Sequence, residues 1–241
     1  MKKIVLAMTT AAVVSVAHAG SMGPVSMASS YTPYLTGEAS YTWPQLGNLM
    51  INKDLTTTTS QGWGGRLGAG MMYNYNEKLS FTGELGGGYY GSKNRKVMTT
   101  TGAVASNGSM AIDGYDLLAG FVYKWTYFDV FFQGGFMLEN ARVTQSVDLG
   151  LASPGNFYHG YVSQNGNSTQ ALPEIKVGGI YNINPNWGLD VAYMHVFGST
   201  PSFNGSFAGT TTGGVYKVID SVSQNPTLDS VMFGVHYNFV M

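Results

Sequence analysis

Ten ionisable residues are placed where chemistry could happen: Glu38, Arg66, Glu84, Asp116, Lys124, Glu139, Glu174, Lys176, Asp190 and His236. Each sits in a stretch where every second residue is apolar or aromatic, and each belongs to the other, polar set. If the apolar set faces outward, these groups share an enclosed interior. Isolated charge is costly in such a place, so acids and bases are expected to pair there. Arg66 is the expected hub, because its planar fork binds carboxylates bidentately, with Glu38 and Glu84 on flanking segments as its nearest partners. Glu38, Arg66, Glu84, Asp116, Lys124 and Lys176 together form the candidate network. In its bland form this is a structural salt-bridge core, and in its sharper form a gate whose swapped pairs open a water path. Acids outnumber bases on this face, so any conductance would favour cations.

Other constellations are thinner. His195 with Ser199 four residues on could serve a hydrolase only with an acid from another segment. His159, His195 and His236 lack metal-ligand spacing, so neither a metal nor a cofactor is expected. Gly64-Gly65 and Gly86-Gly87-Gly88 precede no helical pattern and do not read as phosphate loops.

The segments that carry the charges alternate with period two, the signature of β-strands. Eight are expected, at about 34–43, 62–76, 79–91, 113–125, 128–139, 171–183, 187–197 and 231–241. The last reads Val231, Phe233, Val235, Tyr237, Phe239, Met241 on one face and Met232, Gly234, His236, Asn238 on the other, with Val240 the exception. Tight turns fall at 74–78, 126–127 and 184–187, the last set by Asn184-Pro185-Asn186. Long connections rich in Ser, Thr, Asn and Gly fall near 44–61, 92–112, 140–170 and 199–227. Several strands sustain alternation for ten residues or more, against roughly 5–6 in soluble sheets, which argues against a soluble sandwich.

Composition agrees. Charged residues are 10% of the chain, against roughly 25% in soluble domains, and aromatics reach 13%. Mean hydropathy is nonetheless +0.00, as expected where apolar outward positions cancel polar inward ones. A formal charge of −1 and the lack of a basic stripe give no reason to expect nucleic acid. Lys2 and Lys3, an apolar run over 4–16 and Ala17-His18-Ala19 form a secretory leader, so residues 1–19 are expected to be removed and 20–241 to form one domain. The sequence contains no cysteine, which excludes a lipid anchor after cleavage and any disulfide.

The leader, the eight alternating segments, the three short turns and the Gly234-Val-His-Tyr-Asn-Phe239 terminus resemble the small outer-membrane β-barrel family, whose best-known member is the transmembrane domain of OmpA. The resemblance covers nearly all of 20–241 and is one of pattern. It implies an all-β fold, an eight-stranded antiparallel transmembrane barrel with short periplasmic turns and four long extracellular loops. It implies residence in the outer membrane of a Gram-negative bacterium among lipid and lipopolysaccharide, after delivery by periplasmic chaperones and the barrel-assembly machinery. Family members commonly end on an aromatic residue, whereas Phe239 is followed here by Val240 and Met241. The pattern stops with the barrel, so the family's peptidoglycan-binding domain is not expected. The expected function is structural and surface-exposed. Phe157, Tyr158 and Tyr161 in the third loop, with Phe203 and Phe207 in the fourth, are the candidates for touching a host or phage ligand. A small porin-like channel is the alternative, and a lipid A-modifying enzyme built on His195 a distant one.

Overall fold

The computed structural model describes residues 31–45, 56–59, 62–98, 104–153, 156–199, 203–211, 214–222 and 224–239. Within 56–59, 93–108, 145–165 and 203–222 it describes the backbone alone. The expected leader, 1–19, and the terminal Val240 and Met241 lie outside the described residues. Eleven strands follow in order: β1 (Tyr31–Pro44), β2 (Thr56–Thr59), β3 (Gly62–Asn74), β4 (Leu79–Met98), β5 (Val104–Lys124), β6 (Phe128–Ser153), β7 (Asn156–Asn182), β8 (Trp187–Val196), β9 (Phe203–Thr211), β10 (Gly214–Val222) and β11 (Leu228–Asn238). No helix occurs among the described residues, and none is long and apolar enough to cross a membrane.

Eight strands close on themselves in the order β4-β3-β1-β11-β8-β7-β6-β5, with β5 pairing back to β4, and every pairing is antiparallel. The register fixes the barrel's shape. From Glu38, the partners through β3, β4 and β5 are Arg66, Gly88, Gly114 and then Glu139 on β6. In the other direction they are Gly234, Asp190, Ile180 and then Asp129 on β6. The two routes meet β6 ten residues apart, so the barrel has eight strands and a shear of ten. With strands spaced ~4.8 Å and rising ~3.3 Å per residue, that combination gives a tilt of about 41° and a radius of about 8 Å. Side chains alone fill such an interior.

Alternation in the sequence becomes alternation in burial. Along β8 exposed and buried residues succeed one another from Trp187 to Val196, and along β1 Thr36, Glu38, Ser40 and Thr42 turn in while Leu35, Ala39 and Trp43 turn out. Tight turns close β3–β4, β5–β6 and β7–β8 at one end, and Asn76 and Asn184 accept backbone N–H groups within two of them.

At the other end the structure departs from the expected loops. β4 and β5 stay paired out to Met98 and Ala105, and β6 and β7 to Ser153 and Asn156. Most of 92–112 and 140–170 is therefore strand rather than irregular loop. β2 adds to β4 inside the first connection, and β9 and β10 form a hairpin inside the last. Val97, Val104, Val143, Val147 and Val162 favour an extended backbone, and Ala141, Val143, Val147, Leu149 and Leu151 alternate along β6, but Gln145 interrupts that set and the partner stretches are rich in Ser, Thr, Asn and Gly. Where such residues interrupt the apolar set, the period of two is hard to read in the sequence while the ladder persists.

Candidate functional site

Arg66 points inward from β3 and is 1% exposed. Its Nη1 donates to Glu38 Oε2 on β1 at 2.9 Å, and its Nε to Asp116 Oδ2 on β5 at 2.8 Å. Its Nη2 pairs with Glu84 Oε1 on β4 at 2.6 Å and also bonds Asp116 Oδ1. Lys176, from β7 on the opposite wall, closes the ring: its Nζ lies 2.8 Å from Glu38 Oε1 and 3.4 Å from Glu84 Oε1. Three carboxylates and two cations from five strands thus form a belt across the barrel, all of them buried. Tyr34 donates to Glu84 Oε2 at 2.9 Å and meets Thr82 Oγ1 at 2.6 Å, while the Lys176 ammonium sits 5.7 Å above the Phe131 ring.

Geometry explains how Arg66 spans to Asp116. β4 stands between their strands, and there Gly86 faces Asp116 while Gly88 faces Arg66. A Cβ at Gly86 would run into the guanidinium itself. The glycines are the groove in which the fork lies.

Lys124 does not join the belt. It faces inward as expected, but eight residues from Asp116 along β5 is about 26 Å of strand. Its Nζ donates to Asn74 Oδ1 at 2.7 Å near the tight turns. The loop aromatics are not tested by side-chain position: Phe157, Tyr158 and Tyr161 have their backbone in β7, and Phe203 and Phe207 in β9, all outside the described side chains.

Away from the tight turns, the interior above the belt is mixed, with Ser40, Thr42, Glu139, Glu174 and Ser230 fully buried among apolar side chains. Met110, Met137, Met194 and Met232, with Ile112, Val196 and Leu228, are each no more than 1% exposed. Unbranched, adaptable methionines fill irregular space, and here they seal the barrel over the charges. Among the described buried residues six are acids (Glu38, Glu84, Asp116, Glu139, Glu174, Asp190) and two, Arg66 and Lys176, are strong bases, with His236 also buried. Both oxygens of Glu139, Glu174 and Asp190 lack a hydrogen-bond partner.

Two features escaped sequence reasoning. Tyr90, 1% exposed, turns inward beside Asp116 with the even-numbered set of β4, Thr82 to Gly88, and just past it β4 bulges between Tyr89 and Ser92 around Gly91, whose φ is 90°. The alternation Thr82, Glu84, Gly86, Gly88, Tyr90 was the available signal for its facing, and Gly91 inside the strand the signal for the bulge. Asp229 is the other. On the outer wall it accepts from Tyr193 Oη at 2.5 Å, lies 2.7 Å from His195 Nδ1, and accepts from Gln45 Nε2 at 3.2 Å. Its facing continues that of Val231 and Phe233, so extending the last strand by one pair would have revealed it. His195 therefore has an acid beside it, but the described Ser199 makes no hydrogen bond to its ring, and its backbone N–H donates to Asn225 O at 2.9 Å.

The exterior is a continuous apolar band, with Leu67 73% and Phe136 63% exposed. Exposed Tyr73, Tyr123, Trp125 and Trp187 rim it at the tight-turn end, and Trp43, Trp63, Tyr89 and Tyr115 at the other. Two aromatic girdles around an apolar belt are a lipid-facing surface. This is the fold of the small outer-membrane β-barrels.

No family model and no curated protein matches the sequence. Among solved structures the chain is similar to the outer-membrane protein AlkL in DMPC bilayers, at 11% identity over 92% of this chain and 96% of that one with a TM-score of 0.43. OprG of Pseudomonas aeruginosa is 13% identical over 88% and 97%, with a TM-score of 0.42. Ail, the attachment invasion locus protein of Yersinia pestis, is 14% identical over 87% and 97%, with a TM-score of 0.39. The assignment of the barrel rests on strand number, register and facing.

Proposed function

We propose that this barrel is a structural, surface-exposed protein of the Gram-negative outer membrane, which holds the β4–β5, β6–β7 and β9–β10 hairpins outside the bilayer for contact with host, phage or environment. The observation that carries this reading is the filled interior. A belt of paired charges, capped by a methionine layer, offers support for the wall rather than a path through it. Three tight turns at one end and projecting hairpins at the other match short periplasmic turns and an elaborated outer side. Lipid and lipopolysaccharide surround the wall, and the chaperones and assembly machinery that deliver such barrels are its partners in biogenesis. Contact with an external ligand falls to the hairpins, with Phe157, Tyr158, Tyr161, Phe203 and Phe207 as the residues to substitute first.

A narrow cation path is the second reading, favoured by the excess of buried acids around Arg66 and Lys176. Planar-bilayer recording on protein purified from membranes separates the two. Silence, with a heat-shifted gel band proving that the barrel is folded, supports display. Discrete cation-selective steps abolished by Glu84→Gln would replace it with the channel.

A further inference from the structure

The three orphaned carboxylates are not alike. Glu139 on β6 and Glu174 on β7 lie on the hairpin side of the belt. Asp190 instead lines a small cavity on the tight-turn side of the belt, with room for about one water-sized guest. Two further buried oxygens without partners line the same space, Gln133 Oε1 and Thr36 Oγ1. The three residues are 4%, 3% and 7% exposed and come from β8, β6 and β1. Asp190 Oδ1 lies over Gly234, 2.6 Å from where a Cβ would stand, so a side chain at 234 would displace it.

We propose that this cavity binds a small monovalent cation of sodium size, with Asp190, Gln133 and Thr36 as its protein ligands. Carboxylate, amide and hydroxyl oxygens are the donors a hard cation takes. Charge balance points the same way. Two basic side chains, Lys176 and His236, also line the cavity, but the Lys176 ammonium is engaged by Glu38 and Glu84 and the His236 ring by Asn238 Oδ1. Acids remain in excess after Arg66, Lys176 and His236 are counted. A water molecule could fill the space and complete hydrogen bonds, but it would leave that charge unopposed. A divalent cage is the wrong class, because no three acidic or histidine groups converge as metal ligands among the described residues.

Thermal unfolding of the protein purified from membranes into detergent tests this at fixed pH and ionic strength, in sodium chloride against choline chloride. Choline is too large for the cavity. The expected result is a higher midpoint in sodium, by several degrees, saturating as sodium replaces choline, with Asp190→Asn unfolding at one temperature in both salts. If Asp190→Asn does not fold, Thr36→Val and Gln133→Leu are read instead, each with a reduced sodium effect. Equal midpoints of the wild-type protein in the two salts would overturn the proposal in favour of a water or a proton on Asp190. A sodium effect undiminished in the variants would overturn it too, since the ion would then act elsewhere.

Discussion

Arg66 satisfies three carboxylates because the strand beside it withholds side chains. A guanidinium with fewer partners would be an uncompensated buried charge, so the belt is expected to fail abruptly when its hub is removed. Arg66→Ala should lower stability by about 3–5 kcal/mol, the cost of stranding buried acids, read as a drop in the temperature at which the compact gel band is lost. Arg66→Lys should recover only part of it, because a point charge cannot replace the fork. Lys124→Ala should change the same midpoint by less than about 1 kcal/mol, since Lys124 bonds Asn74 near the turns and touches no member of the belt. Glu38 and Glu84 were legible as partners because they occupy strands flanking β3. Asp116 was legible as an inward acid but not as the bidentate partner. Its contact crosses a whole strand, and nothing local to Arg66 announces that Gly86 leaves the way open.

Strands were readable in proportion to how differently their two faces are solvated. In β1, β8 and β11 one side meets lipid and the other the packed interior, and the sequence alternates accordingly. Beyond the girdles the alternation is broken: Ala141, Val143, Val147, Leu149 and Leu151 fall in one alternate set of β6, but Gln145 interrupts it and the partner stretch of β7 is rich in Ser, Asn, Gln and Gly, so the hairpin extensions read as loops although their backbone ladders continue. Such extensions contribute to the closed wall only where they pass through it. Replacing 145–164 by a tight turn should therefore leave a heat-shifted band while removing whatever binding the hairpin supports. The bulge in β4 is a separate feature, following directly on Tyr90, which alternation has already turned toward Asp116. At a φ of 90° an alanine is strained, and a Cβ at Gly91 would come within 2.7 Å of Gly62 Cα. Gly91→Ala should cost roughly 1–2 kcal/mol, seen in the same gel-shift midpoint.

At the scale of the molecule, the ring is closed by its first and last strands. Tyr34 through Pro44 pair with Asn238 back to Leu228, and the N–H of Phe239 reaches Pro33 O at 2.9 Å. Nearly the whole chain lies between those partners, so no smaller ring is available to a shortened copy. Before β11 arrives, β1 and β8 each present a row of unpaired amides and carbonyls, which hydrocarbon cannot satisfy. Stopping the chain at Thr227 should give protease-sensitive protein with no compact band, rather than a seven-stranded barrel. Insertion is then a decision made at the end: the membrane can accept the finished cylinder, and every earlier state must be sheltered from it.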